Sequence, residues 1–181
     1  MIMPNKTIKG SADAKVWAVL RILLGFTFLW AFFDKLWGLG FATCRDAKTG
    51  AIDILCSKAW VRGGSPTVGF LKFGTKGPFA HFYQSLAGHA WIDWLFMMGL
   101  LLIGVALIFG IAMRLATISG SLLLLMMYKA ALWPANNPFV DDHIIYIVVL
   151  TGLLVVNKRQ VWGLGNWWNQ QPLVKRLPLL R

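Results

Sequence analysis

Long apolar runs, separated by charged or turn-forming residues, are the dominant pattern of this chain. The first run contains the uncharged stretch from Ile22 to Phe33. From Trp94 to Trp133 the chain is almost continuously apolar, which is too long for one crossing of a bilayer, since that needs about 20 residues. We therefore expect this run to fold back once, near Arg114. The pattern predicts four transmembrane helices, at residues 16–36, 90–113, 115–133 and 142–156.

The predicted fold is all-α, a transmembrane four-helix bundle with a long extracytoplasmic loop, residues 37–89, between the first and second helices. No Ser-, Pro- or Gly-rich linker divides the chain, so residues 1–181 are expected to form a single membrane domain with a tail at residues 157–181. Pro134 and Pro138 prevent the third helix from running on into the fourth. A short turn there is expected to bring Lys129 near the acidic residues that begin the fourth helix.

Composition supports lipid as the solvent for most of the chain. Of the 181 residues, 57% are hydrophobic and 14% are charged, with a mean hydropathy of +0.62, whereas soluble domains have about 25% charged residues. The polar start, Met1 to Lys15, favours a retained signal-anchor helix over a cleaved signal peptide, because the run that follows is longer than a signal peptide requires. Membrane lipid is thus an expected partner.

The net charge of +11 has a topological interpretation. Basic residues lie between the predicted spans and at the termini, which indicates contact with anionic headgroups rather than with nucleic acid. Ten would share the side of the termini: Lys6, Lys9, Lys15, Arg21, Arg114, Lys158, Arg159, Lys175, Arg176 and Arg181. Eight would lie opposite: Lys35, Arg45, Lys48, Lys58, Arg62, Lys72, Lys76 and Lys129. The ten lie closer to the spans, which predicts cytoplasmic N- and C-termini.

Both cysteines, Cys44 and Cys56, fall in the loop that this topology places outside. In an oxidising compartment the pair predicts a disulfide, which would stabilise the loop by about 3 kcal/mol in the chain-entropy model. The alternative is a dithiol that exchanges electrons with a substrate, although no C-x-x-C spacing supports it.

Charged and imidazole groups collect at the outer ends of the predicted helices. We expect Lys35, His89, Asp93, Asp142 and His143 to converge on one polar pocket at the outer leaflet, since each lies within about one turn of a helix end. His143 or Asp142 would accept a proton from a bound quinol as the catalytic group, and Lys35, His89 and Asp93 would contact the cofactor. The structural alternative is a set of ion pairs that caps the bundle.

Other cofactor chemistry finds little support in the sequence. None of the histidines, His81, His89 and His143, lies in the middle of a span, and no C-x-x-C-H motif occurs, so no haem is expected. The order of His89, Asp93, Asp142 and His143 matches no strong metal signature, and no metal is expected. Nucleotide-binding and hydrolase motifs are lacking in the sequence.

Three regions carry a family resemblance. They are Arg21 to Leu36, Arg62 to Thr67 with Gly69 to Leu71, and Asn136 to Phe139 with Asp141 to His143. Across nearly its whole length the chain resembles the DoxX/DoxD family of small bacterial membrane proteins. The best-described branch of that family is similar to the large, membrane-embedded subunit of thiosulfate:quinone oxidoreductase, which acts beside a small subunit.

The resemblance implies a redox subunit of the bacterial inner membrane that passes electrons from thiosulfate or another sulfur compound to quinone, with a protein partner in the membrane. The basic loop would favour a small anion. The sequence contains no evident electron carrier, so electrons would pass directly to quinone or through a cofactor of the partner. The alternative function is a non-catalytic accessory subunit that packs against a larger respiratory or photosynthetic complex.

Overall fold

The computed structural model describes residues 11–157 and 160–180, and this part of the chain is all-helical. Its α-helices are α1 (Ala12–Trp37), α2 (Ala80–Ser85), α3 (Ala90–Phe109), α4 (Met113–Ala130), α5 (Asp142–Val155), α6 (Gly165–Trp168) and α7 (Pro172–Arg176). Short 3-10 helices at Trp60–Arg62 and Pro178–Leu180 and a π-helix at Phe70–Gly74 complete the regular structure. Five basic residues of the topology argument lie outside the described residues: Lys6, Lys9, Lys158, Arg159 and Arg181.

The four long helices form a closed ring in which α1 packs on α3, α3 on α4, α4 on α5 and α5 on α1. They correspond to the four predicted helices, with different ends. In particular, α3 ends at Phe109 rather than at residue 113, because Gly110 (φ 67°) and Ala112 (φ 46°) adopt left-handed backbone conformations that turn the chain into α4.

Helices α1 and α3 approach each other closely at two glycines. A Cβ on Gly104 would lie 2.7 Å from the Leu29 side chain, and one on Gly25 would lie 3.0 Å from the Gly104 carbonyl oxygen. Small residues at a crossing allow this approach. The buried side chains of the ring form one core: Leu24, Phe28, Phe32, Met97, Leu100, Ile103, Leu107, Met113, Leu124, Leu150 and Leu153.

The outer faces of the ring are apolar as well. Exposed large hydrophobic residues on the long helices include Val16, Leu23, Phe26, Leu95, Leu102, Ile118, Leu122, Leu125, Ile145 and Val148. Helices α1 and α3 are long and apolar enough to cross a membrane, and α5 is a shorter apolar helix. Because a water-soluble protein seldom exposes large contiguous apolar surface, these faces suggest a membrane protein.

Successive long helices run antiparallel, so the ring has two distinct ends. We call the end where α1 finishes and α3 begins the loop end, because residues 38–89 connect these helices there, and we call the opposite end the terminal end. Residues 131–141 connect α4 to α5 at the loop end and contain Pro134 and Pro138, as predicted. Lys129 forms no ion pair within 4.0 Å among the described residues, so its expected contact with the acidic residues of α5 is not formed.

Arg21 closes the terminal end of the ring. Its guanidinium is fully buried and donates hydrogen bonds to the carbonyl oxygens of Leu107 and Ile108 in the last turn of α3, the latter at 2.8 Å. It also donates to Val161 (3.3 Å) and Trp162 (2.8 Å) of the C-terminal segment. The sequence predicted that Arg21 would lie at the membrane interface. The structure instead buries its guanidinium within the ring, where two of its partners are carbonyl groups that the end of α3 leaves unpaired.

Candidate functional site

A cavity of about 720 Å³ lies at the loop end, between α3 and α4 and beneath part of the loop. Its volume is within the range of about 300–1,000 Å³ that is typical of sites for small organic ligands. Helix α3 contributes Ile92, Leu95 and Phe96, and α4 contributes Leu123, Met126, Met127 and Ala130. We call residues 64–73 the roof segment, because most of them cover this space from the loop side.

The mouth of the cavity faces outward from the ring. Four of its lining residues are among the exposed apolar side chains: Phe73 is 85% exposed, Leu95 65%, Met126 41% and Phe70 37%. The cavity is therefore open toward the apolar outer faces of α3 and α4.

Lys35 supplies the cationic group of the inner wall. Its amine lies 5.8 Å from the centre of the Phe96 ring, a cation–π contact, and has no ion pair within 4.0 Å among the described residues. The neighbouring carboxylate of Asp34 is buried and accepts hydrogen bonds from the N–H groups of Phe41 (3.0 Å) and Ala42 (2.9 Å). The three N–H donors of Lys35 thus remain able to bind a ligand acceptor.

Asp93 holds the roof segment in place. One oxygen of its buried carboxylate accepts hydrogen bonds from the Ser65 hydroxyl (2.8 Å), the Thr67 hydroxyl (2.6 Å) and the Thr67 N–H (3.2 Å). Ser65 and Thr67 line the cavity, whereas Asp93 lies behind them. Asp93 was predicted to contact a cofactor; in the structure its carboxylate positions two residues that line the cavity.

Of the five residues expected to converge on one pocket, Lys35 lines this cavity and the other four do not. His89 is exposed at the start of α3 and does not line the cavity, and neither does Asp142 or His143. The Nδ1 atom of His143 lies 2.7 Å from the Asp141 carboxylate and 3.5 Å from that of Asp142, whose side chain is 71% exposed. The physical reason is the ring order: α5 packs on α4 and α1, away from the cavity between α3 and α4.

Donor atoms of Asp141, Asp142 and His143 lie within 4.8 Å of one another, which is close enough for a shared metal ion. The Asp141 carboxylate has another role, because it also caps α5 by accepting a hydrogen bond from the Ile144 N–H at 3.2 Å. This cluster therefore has a structural explanation as the N-terminal cap of α5.

The predicted disulfide between Cys44 and Cys56 is present. It joins two parts of the loop whose neighbouring residues, Thr43 and Ser57, line the cavity. Between the cysteines, the N–H groups of Thr49 and Lys48 donate to the Asp46 carboxylate and lower its pKa. The bridge and this turn fix the part of the loop that borders the site.

Several cavity residues could not be identified from the sequence as functional. Ser65 and Thr67 belong to a run of turn-forming residues, and Phe70 begins a π-helix that no hydrophobic period predicts. Tyr83 of α2 lines the cavity, and burial raises the pKa of its phenol. The usable signal was the density of Gly, Ser, Pro and Thr at residues 63–67, which indicates a specific backbone path but not its position over α3.

Comparison of the chain with protein-family models, with curated proteins and with solved structures found no match. Candidate functions therefore come from the geometry of the cavity and from the family resemblance of the sequence.

Proposed function

We propose that this chain is a polytopic protein of the bacterial inner membrane, with α1, α3, α4 and α5 crossing the bilayer and both termini in the cytoplasm. Apolar side chains on the outer faces of all four helices support this topology. Charge supports it too, because the basic residues assigned to the terminal end lie close to the helix ends, where Lys and Arg determine the orientation of a span. Helix α5 is short, at 14 residues or about 21 Å, so the bilayer would thin beside it.

The proposed activity is that of a DoxX/DoxD-type redox subunit that binds quinone in the cavity. The observation that carries it is an apolar chamber with a lateral mouth and a single helix-borne amine, Lys35, on its inner wall. A quinone presents a flat ring, two carbonyl acceptors and an apolar tail, and each finds a matching group in Phe96, Lys35 and the α4 side chains. When bound, quinone supplies a two-electron, two-proton acceptor.

The electron donor in this proposal is thiosulfate or another sulfur compound, received on the outer side with the help of a partner subunit. Basic residues of the loop would attract such an anion: Arg45, Lys48, Lys58, Arg62, Lys72 and Lys76. The proton-accepting role expected of Asp142 and His143 is not retained, because neither residue lines the cavity.

Photolabelling tests the quinone site. The purified chain in lipid nanodiscs would be irradiated with an azido-substituted short-chain quinone, and the labelled peptides mapped by mass spectrometry. We expect labels in the roof segment and near Phe96, and loss of labelling by competing unmodified quinone. Leu123→Trp fills the cavity and should reduce labelling about tenfold, because the larger side chain prevents the quinone from binding there. The matched control is Leu122→Trp, which places the same bulk on the outer face, where Leu122 is 57% exposed.

The competing function predicts a different outcome. If labelling were spread over the outer faces of the helices and unchanged by Leu123→Trp, the cavity would not be a quinone site. The chain would then be better explained as a non-catalytic accessory subunit of a larger membrane complex.

A further inference from the structure

Both cysteines of the disulfide are next in sequence to residues that line the cavity. Ala42 and Thr43 precede Cys44, Ser57 and Lys58 follow Cys56, and all four of these neighbours line the cavity. The sulfur of Cys44 also packs against Gly38, at the end of α1 and one helical turn beyond Lys35. The bridge thus lies next to the cationic end of the proposed quinone site.

The two cysteines differ in accessibility. Cys44 is 7% exposed and lies on the inner side, whereas Cys56 is half-buried. The Lys58 N–H also points at the Cys56 sulfur at 3.4 Å. An external nucleophile therefore reaches Cys56 more readily, and the sulfur released by that attack is the one that faces α1.

We propose that Cys44 and Cys56 form a redox-active pair that carries electrons from an external sulfur nucleophile to quinone in the cavity. This inference depends on the proposed quinone site. It assigns the missing electron carrier to the cysteine pair, which the sequence analysis considered only as an alternative to a structural disulfide. It gives the pair a catalytic function in addition to its stabilisation of the loop.

The electron count balances with a donor R–SH, where R is an organic group or, in thiosulfate, a sulfonate. One donor attacks the Cys56 sulfur, breaks the S–S bond and leaves Cys44 as a thiol. A second donor displaces Cys56 as a thiol, and the two donors leave joined as R–S–S–R. The reduced pair then loses two electrons and two protons to quinone, the Cys44–Cys56 bond forms again, and quinol leaves.

Nearby positive groups suit this exchange. The thiolate is the reactive form of cysteine, and adjacent amines favour it. Lys35 lies one turn before Gly38, which contacts the Cys44 sulfur, and Lys58 lies two residues after Cys56. Both lysines line the cavity.

The test follows the redox state of the cysteines. The full chain in lipid nanodiscs would be reduced with dithiothreitol, freed of reductant without oxygen, and mixed with a short-chain ubiquinone. Maleimide addition then reports free thiols by a mass shift over time. We expect one quinone to reoxidise one cysteine pair, and Leu123→Trp to slow this at least about tenfold, because it removes the proximity of the reactants. Leu122→Trp should react like the unmodified protein.

Three outcomes would overturn the inference. If the thiols stayed reduced while the azidoquinone still labelled the cavity, the quinone site would stand and the redox role would be wrong. Equal reoxidation in Leu123→Trp and the unmodified protein would mean that the reaction occurs outside the cavity. If reduction of the disulfide alone abolished azidoquinone labelling, the bridge would be required only to maintain the structure of the site. Failure of labelling in the oxidised protein would instead contradict the proposed function itself.

Discussion

Three buried charged side chains, Arg21, Asp34 and Asp93, form hydrogen bonds with backbone and hydroxyl groups instead of ion pairs. In a ring of apolar helices an unpaired charge is costly, and each of these groups forms several hydrogen bonds, although the buried Nε of Arg21 has no partner among the described residues. The sequence showed that these charges needed partners. It could not show which partners, because backbone N–H and C=O groups have no residue-type signature.

At Asp93 we expect Ala to release the roof segment and Asn to retain it. Alanine removes the acceptor of three hydrogen bonds, at a cost of about 1–3 kcal/mol, whereas the Asn side chain keeps a carbonyl oxygen at the same position. Hydrogen exchange of residues 65–73 should accelerate in Asp93→Ala and change little in Asp93→Asn. Equal exchange in both variants and the unmodified protein would contradict the positioning role.

At Arg21 we expect Leu to destabilise the terminal end. The substitution leaves four carbonyl groups without their donor and should lower the free energy of unfolding by at least about 2 kcal/mol. The control is Arg114→Leu, because Arg114 is exposed at the same end and donates one hydrogen bond, to Pro178 at 3.2 Å. Thermal unfolding in detergent would compare the two. Equal midpoints would show that Arg21 does not hold α3 to the C-terminal segment.

Among the elements, the long helices could be predicted and the loop could not. Apolar periodicity and length located α1, α3, α4 and α5, whereas their ends depend on local features such as the left-handed conformation of Ala112. Residues 38–89 mix apolar and polar positions without a period, so neither the π-helix at Phe70–Gly74 nor its position over the cavity followed from the sequence. Because the loop conformation could not be predicted, the sequence did not reveal the cavity, although it did identify Lys35, the lysine on its inner wall.

The contact between α1 and α3 gives a prediction at this scale. Gly104→Ala should lower the unfolding midpoint, because the added Cβ would overlap Leu29 and overpacking costs about 1–3 kcal/mol. Gly99 lies on the same helix with nothing within 4 Å of an added Cβ, so Gly99→Ala should leave stability unchanged or raise it. A midpoint drop of similar size in both variants would contradict the close approach.

For the whole molecule, the ring of four helices, its apolar outer faces and its uneven charge together define how it would sit in a membrane. Cysteine labelling in intact cells tests this, on a chain in which Cys44 and Cys56 are replaced by Ser. A membrane-impermeant maleimide should label Lys48→Cys directly but Asn169→Cys only after permeabilisation, because the topology places these exposed sites on opposite sides. The reverse pattern would mean that the orientation in the membrane is inverted. Labelling of both sites in intact cells would exclude the three crossings, or any odd number of crossings, between them.

The most direct test of the central claim is an experimental structure of the chain in lipid nanodiscs with a saturating short-chain quinone. The account predicts planar density in the cavity between Phe96 and Leu123, covered by the roof segment, with a carbonyl oxygen within hydrogen-bond distance, about 3 Å, of the Lys35 amine. A cavity closed by its own side chains, or quinone density only on the outer faces of the helices, would contradict it.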